Sequence, residues 1–254
     1  MHLLADIGNT RVKLAIFENN STPIYFKAIE HSNALNLINA LYEIKNSYKG
    51  IEDVFYSSVS LKINDLFESS IKDCFNMDTY KVSHSDVKLK DNLYEPKDSV
   101  GIDRILSTYA SICLEKPNNE KYASVVIDMG TATTISIMIS DFTFLGGMII
   151  AGTKTSYQAL SNRTSLPYYK IGPIESIPNP INNNVKDAFM SGAIYNTIGT
   201  VNYAVSETRK YIKDKYNIKC KIFLTGGISN LRILKCKIYP FLVLQGIYFN
   251  MIHI

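Results

Sequence analysis

The chain has no tryptophan and little cysteine or histidine, with four of each of the latter in 254 residues. Cys74, Cys113, Cys220 and Cys236 stand far apart, without a CxxC pair or a Cys/His cluster. This spacing excludes a zinc finger or ribbon and argues against a disulfide framework. We therefore expect reduced, mostly buried thiols, a cytoplasmic location and no Cys/His metal site. The histidines are equally dispersed, so catalysis by histidine is not expected.

A long apolar run, a basic leader and a strong charge of either sign are also missing. The apolar stretches are too short to cross a bilayer, and residues 3–7 are typical of a strand rather than a signal peptide. The net charge is +4. Basic residues gather between 209 and 221, but their spacing fits the solvated side of a helix. We expect neither a membrane nor a nucleic-acid partner.

One short pattern occurs twice. Asp6-Ile7-Gly8-Asn9-Thr10 follows the apolar residues 3–5, and Asp128-Met129-Gly130-Thr131 follows the apolar end of 124–127. A β-rich run comes after each copy. Each copy therefore predicts a hairpin whose tight turn carries a carboxylate, a glycine and hydroxyl or amide side chains.

These turns are suited to phosphate. We expect their glycines to allow positive φ and to expose backbone N–H groups to phosphate oxygens. The aspartates would repel phosphate, so their natural partner is a bridging cation. A single turn of this kind is commonly conformational, but two in the same order indicate two related halves facing a phosphate-binding cleft.

The apolar periodicity supports two halves, which we place at residues 1–116 and 117–254. The predicted elements are strands at 2–7, 11–17, 22–29, 51–60 and 79–82 and helices at 35–45, 62–75 and 101–115, followed by a linker at 116–120 and strands at 123–128, 133–140 and 142–150. Residues 161–184 are loop-rich. A third turn, Thr225-Gly226-Gly227, precedes a possible helix from Ser229, a position where nucleotides often bind.

The order and spacing of these motifs resemble those of the type III pantothenate kinase family. The matching segments beyond the two acidic turns are Gly101-Ile102-Asp103-Arg104, Gly146-Gly147-Met148-Ile149, Ala159-Leu160, Thr164, Leu166-Pro167, Ser191-Gly192 and Thr225-Gly226-Gly227. Together they cover residues 3 to about 248. The resemblance implies the α/β fold of acetate and sugar kinases, Hsp70 and actin. That fold has two ribonuclease-H-like domains, each a mixed sheet flanked by helices, with a cleft between them.

The resemblance also implies ATP-dependent phosphorylation of pantothenate, the first step of coenzyme A synthesis. The segment that would bind the ATP phosphates comprises Asp6, Ile7, Gly8, Asn9, Thr10, Arg11, Val12 and Lys13. Asp6 would be placed for Mg²⁺ through the phosphate or a water molecule. Asp128 matches the position that binds a monovalent cation, K⁺ or ammonium, and Thr131 matches a further nucleotide contact.

On the substrate side, the residues implied to line the pantothenate site are Tyr94, Gly101, Ile102, Asp103 and Arg104. Asp103 is the expected base for the primary alcohol. It would accept the proton late, once bonding to phosphorus makes that oxygen acidic. Arg104 is suited to pair with a carboxylate or with charge on the transferring group. Its alternative is a surface salt bridge at the start of a helix.

The family is homodimeric and completes the pantothenate site across the interface, so residues 186–205 are a candidate dimer helix. A helix buried within one chain would show the same pattern.

Two positions depart from the family. Ala151 stands where a Pro is common, and Val185 stands at a Thr that contacts substrate. A backbone group or a neighbouring Asn would have to supply the missing contact.

Two other functions remain open at this level. One is a regulatory, non-catalytic member of the family that acts as a transcription accessory factor. The intact Asp6, Asp103, Arg104 and Asp128 argue against it. The other is an ATPase or polyphosphate phosphatase of the same fold, with water in place of the alcohol. The Gly-x-Asp-Arg motif with Tyr94 ahead of it favours the kinase.

Overall fold

The computed structural model describes residues 1–31, 34–115, 120–169, 176–227 and 236–252. The chain divides into two compact units, one formed by Met1–Lys116 with Phe241–Ile254 and the other by Pro117–Pro240. Residues 241–252, expected in the second half, therefore pack with the first unit. The elements in chain order are β1 (His2–Ile7), β2 (Arg11–Phe17), β3 (Tyr25–Glu30), α1 (Ala34–Ser47), β4 (Asp53–Ser58), α2 (Leu61–Phe75), β5 (Tyr80–Lys81), β6 (Asp91–Asn92), α3 (Ile102–Cys113), β7 (Tyr122–Met129), β8 (Ala132–Ile139), β9 (Thr143–Ala151), α4 (Thr153–Arg163), α5 (Val185–Tyr216), β10 (Lys219–Thr225) and α6 (Leu242–Met251).

The sheet of the first unit has the order β3-β2-β1-β4-β5. β1 and β2 form an antiparallel hairpin, while β4 lies parallel to β1. Alternate residues of β1 face opposite sides of the sheet. Leu3, Ala5 and Ile7 enter a core with residues of α1 and α2, such as Leu41 and Phe67. Asp6 lies on the opposite face of the sheet from these three residues.

Two helices, α3 and α6, cover that other face. α6 packs on β1 and β4, α3 packs on β4, and the two helices pack on each other. Gly246 of α6 lies against the backbone of Leu106, where a Cβ atom would collide with the Leu106 carbonyl. This close approach, together with a sequence that is apolar almost all round, explains why α6 joins the first unit.

The second unit repeats this topology. β7 pairs antiparallel with β8, β8 pairs antiparallel with β9, and β10 lies parallel to β7. Its β9-β8-β7-β10 order is equivalent to β3-β2-β1-β4 in the first unit. Val125 and Ile127 of β7 pack with Val201 and Val205 of the long helix α5. The fold is therefore α/β with a mixed sheet in each unit, which confirms the predicted duplication.

Most predicted elements differ from the observed ones only at their ends. The largest difference is α5, which has 32 residues where 186–205 were predicted. The predicted helix from Ser229 lies outside the described residues.

All four cysteines are free, and burial raises the pKa of Cys113 to about 11. Within the described ranges, no helix is both long and apolar enough to span a membrane.

Candidate active site

The first acidic turn holds an ion pair. Asp6 and Lys13 are directly opposite in the β1–β2 hairpin, and Lys13 Nζ donates to Asp6 Oδ2 at 2.8 Å. Asp6 is 4% exposed, whereas Asn9, Thr10 and Arg11 at the tip are exposed. The Gly8 N–H closes the turn by donating to the Arg11 carbonyl at 3.0 Å. The turn therefore combines a buried carboxylate with an adjacent lysine below an exposed polar tip.

The second acidic turn is one residue shorter, and this changes the neighbour of its carboxylate. Its closing bond runs from the Gly130 N–H to the Ala132 carbonyl at 3.0 Å. Asp128 then pairs across the hairpin with Thr134, at the position equivalent to Lys13. Asp6 thus faces a lysine across the hairpin, whereas Asp128 faces a neutral threonine. The sequence repeat alone does not reveal this difference. It depends on which residues are paired across each hairpin, and seven positions separate the pair in the first turn but six in the second.

The expected role of the turn glycines is wrong in one respect. Neither Gly8 nor Gly130 has a positive φ, whereas Gly226 does, at 95°. A Cβ at Gly226 would collide with Met129 N and Asp128 Oδ1. The third glycine turn therefore lies directly against the second acidic turn, beside Thr225, which is in register with Asp128.

A further glycine, missed in the sequence, holds the other side of that turn. Gly152 lies so close to the Gly130 and Thr131 carbonyls that a Cβ would collide with both. The Thr131 carbonyl accepts from the Gly152 N–H at 3.2 Å and from Thr155 Oγ1 at 2.6 Å. The start of α4 therefore fixes the backbone of Thr131, whose side chain is exposed. No local pattern around Gly152 could have indicated this contact.

The Gly101–Arg104 motif forms the first turn of α3. Gly101 is the N-cap, and Asp103 Oδ1 accepts from the Arg104 N–H at 2.9 Å. A Cβ at residue 101 would collide with Asp103 Oδ1 and would lie 3.6 Å from Val59 Cγ1. The half-buried Asp103 carboxylate thus lies at a helix N-terminus, where the helix dipole favours negative charge.

Val59 links this helix start to the first acidic turn. The Val59 N–H donates to the Ile7 carbonyl at 3.0 Å, immediately after β4. Its side chain borders Gly101. The carboxyl end of β1, the end of β4 and the start of α3 therefore meet at one edge of the sheet of the first unit. Asp6 and Asp103 belong to two of these three segments.

Arg104 lies in the interior, which excludes the surface salt bridge considered for it. It is 4% exposed, and its guanidinium Cζ lies 5.6 Å from the centre of the Tyr94 ring. This distance allows a cation–π interaction. The structure therefore brings together Tyr94 and Arg104, two of the residues that the resemblance implies for the pantothenate site.

Val185 borders an apolar groove rather than the motifs above. It begins α5 and is 51% exposed. The groove encloses a cavity of about 550 Å³ between α4 and α5, whose lining includes Tyr157, Leu160, Leu166, Val185, Phe189 and Gly192. Asn184, the neighbour considered as a substitute contact, caps α5: its Oδ1 accepts from the Asp187 N–H at 3.0 Å. We call this surface the α4–α5 groove.

The fold and these turns define the class as a duplicated α/β protein with an acidic turn after the first strand of each unit. The ethanolamine utilization protein EutJ from Carboxydothermus hydrogenoformans has a similar fold, with a TM-score of 0.52 and 12% identity over 98% of this chain and 89% of that one. The family model described as type III pantothenate kinase matches residues 2–207. A type III pantothenate kinase from Sulfurihydrogenibium sp. (strain YO3AOP1) is 30% identical over 264 residues, which cover 98% of each chain. The chain belongs to the type III pantothenate kinase family and is a phosphotransferase.

Proposed function

We propose that the chain transfers the γ-phosphoryl group of ATP to the primary hydroxyl of pantothenate, which is the first step of coenzyme A synthesis. The observation that carries the proposal is the family match over residues 2–207. The geometry of the first unit supports it, because a carboxylate at the start of α3 and a carboxylate–lysine pair meet at one sheet edge. Phosphoryl transfer needs positioning and charge neutralisation, which such an arrangement supplies.

The first acidic turn is the proposed phosphate site. Its exposed tip, residues 9–11, presents backbone and polar groups to the phosphates, and Lys13 brings a positive charge. Mg²⁺ is usually bound through one or two carboxylates and several waters, and the buried Asp6 carboxylate fits that donor set. When bound, the ion neutralises charge on the β- and γ-phosphates. Asp6 would hold its water shell in place.

The start of α3 is the proposed acceptor site. Asp103 would orient the primary alcohol and take its proton as bonding to phosphorus proceeds. The hydrogen bond from the Arg104 N–H holds Asp103 Oδ1 in position. Tyr94 and Arg104, together with the Gly101–Ile102 backbone, would line the pantothenate site beside this carboxylate.

The second acidic turn is the proposed monovalent-cation site, with Thr131 as a nucleotide contact. Asp128 faces a threonine across the hairpin rather than a lysine. This neighbour supports K⁺ or ammonium there, because no lysine at the cross-strand position competes with a weakly bound cation for the Asp128 carboxylate. The neighbouring turn at Gly226 packs against the same carboxylate.

We also propose a homodimer in which a second copy covers the α4–α5 groove and contributes to the pantothenate site. Leu160 and Val185 in the groove and Tyr195 on α5 are 40–51% exposed. Gly192 and Gly199 leave open space where a Cβ would be, so another helix could approach closely. Gly192→Glu should give monomers in sedimentation and raise KM for pantothenate. Ser206→Glu, at an exposed position later in α5, is the control.

Purified protein tests the function directly. ATP-dependent formation of phosphopantothenate in K⁺ buffer, and a lower rate in Na⁺ buffer, is the expected result. Phosphate release from ATP without pantothenate would favour the ATPase alternative, and binding without turnover would favour the regulatory one. A cytoplasmic location agrees with four unpaired thiols and a substrate pool of ATP.

A further inference from the structure

A buried serine lies beside Asp6 and has no role in the site described so far. Ser57 is in register with Asp6 between the parallel strands β4 and β1. Residues paired in this way point to the same face of the sheet, with backbones about 4.8 Å apart. Lys13 is the partner of Asp6 on its other side. The three side chains Lys13, Asp6 and Ser57 therefore form one row across the sheet.

The hydroxyl of Ser57 has an unusual environment. Ser57 is 1% exposed, and its Oγ has no hydrogen-bond partner among the residues that the structure describes. An unsatisfied buried hydroxyl costs free energy, so buried polar side chains are nearly always paired. Ser58, by contrast, closes a local turn, since its Oγ accepts from the Ser60 N–H at 3.1 Å. No described residue pairs with the Ser57 hydroxyl, which is therefore available to a ligand or a water molecule.

The position of the row suggests what that partner is. It lies where β1 and β4 end, next to Val59, which contacts both Ile7 and Gly101. Lys13 binds Asp6 Oδ2, the carboxylate proposed to hold a hydrated divalent cation. Waters bound to such a cation are strong hydrogen-bond donors and need acceptors. A serine hydroxyl beside a carboxylate provides one.

We propose that Ser57 is a positioning residue of the divalent-cation site: its hydroxyl and the Asp6 carboxylate together hold water molecules of the hydrated ion. This role rests on the proposed kinase function. It predicts that loss of the hydroxyl weakens binding of the metal–nucleotide complex and leaves the pantothenate site unaffected. Substrate contacts and the base at Asp103 are separate from this row.

The test measures metal binding directly as well as activity. Mn²⁺ is titrated into the protein with a non-hydrolysable ATP analogue, and free Mn²⁺ is followed by electron paramagnetic resonance. Ser57→Ala should raise the dissociation constant of the Mn²⁺–nucleotide complex about tenfold, the effect of one hydrogen bond. The Mg²⁺ concentration for half-maximal kinase rate should rise equally, with KM for pantothenate unchanged.

Two further variants separate the hydroxyl from packing. Ser57→Cys fills nearly the same space but offers only a weak donor and acceptor, so it should behave like Ser57→Ala. Ser70→Ala removes another buried serine of the same unit, on α2, which packs on the opposite face of the sheet. It should leave the Mn²⁺ constant unchanged.

The outcomes distinguish this inference from the proposed function. An unchanged Mn²⁺ constant in Ser57→Ala overturns it, and so does restoration by Ser57→Cys, which would show a packing effect. In another outcome, the wild-type protein binds the Mn²⁺–nucleotide complex and phosphorylates pantothenate, with all variants equal to it. That result supports the kinase function and rejects the role of Ser57. A wild-type protein that does neither rejects both.

Discussion

The Asp103 carboxylate occupies the space that a side chain at residue 101 would need. A Cβ added to Gly101 would collide with Asp103 Oδ1, although the backbone of Gly101, with φ of −59°, suits any residue. Backbone conformation therefore does not require glycine at this position, but a side chain there would push the Asp103 carboxylate aside. The Gly-x-Asp-Arg motif is a steric unit in which the first residue makes room for the third.

Gly101→Ala should therefore impair catalysis without unfolding the protein. The added methyl group pushes the Asp103 carboxylate aside, and a small displacement of a catalytic group costs about 10- to 100-fold in rate. We expect kcat to fall by that factor in steady-state assays. Thermal unfolding should show a midpoint close to that of the wild type. Wild-type kcat would mean that Asp103 does not act from the observed position.

Asp103→Asn keeps the shape of the side chain and removes the base. We expect kcat to fall about 10²-fold or more, because general-base catalysis contributes that much. The affinity for ATP, measured by equilibrium binding, should stay nearly unchanged, since the first acidic turn is intact. Turnover at the wild-type rate would refute the assignment of Asp103 as the base.

Asp128→Ala should weaken the dependence of activity on K⁺ or ammonium, mainly by raising KM for ATP. Asp6→Ala should be the more damaging variant, because a divalent ion acts at the reacting phosphates and because the bond from Lys13 Nζ to Asp6 is lost. Rates measured across a K⁺ series at constant ionic strength test both. If the wild-type protein works equally well in Na⁺ alone, the monovalent site is wrongly placed.

Val185→Thr tests the position at which the chain departs from its family. One neutral hydrogen bond contributes about 0.5–1.5 kcal/mol, which corresponds to roughly a 2- to 13-fold lower KM for pantothenate. KM for ATP should not change. Because Asn184 is engaged in capping α5, it is poorly placed to supply the contact instead. An unchanged KM would point to a backbone contact, and a raised KM to a groove rebuilt around the methyl group.

Asp86 provides a test of stability against pH. Burial alone would raise the pKa of its carboxyl, but hydrogen bonds from the Ser83 hydroxyl and N–H and from Tyr80 bring the pKa below its ordinary value of 3.8. The native state therefore gains stability from ionised Asp86 above the unfolded-state pKa and loses it as pH falls through the native one. Asp86→Asn should lower the unfolding midpoint at pH 7. The difference in unfolding midpoint between the variant and the wild type should narrow below about pH 4. A difference that does not change with pH would contradict this account.

Much of the fold could be predicted from the sequence because its signals are local. Apolar alternation gave the strands around both acidic turns, and helical periodicity gave α1, α2 and α3 nearly to their ends. The repeated turn indicated the duplication that the two sheets confirm. The burial of Arg104 and its contact with Tyr94 were beyond such signals, since a charged residue at a helix start usually faces solvent.

The short-range features follow from the sequence alone: the two hairpins, the acidic residues at their turns and the helix that begins at the Gly101 motif. These depend on side-chain periodicity and turn chemistry within a few residues. Which distant groups meet depends instead on how the chain folds in three dimensions. Register placed Lys13 and Ser57 on either side of Asp6 but Thr134 opposite Asp128. Close packing brought Gly152 and Gly226 against the second turn and α6 onto α3. Such contacts depend on strand pairing and available volume between segments far apart in the chain, which no local pattern encodes.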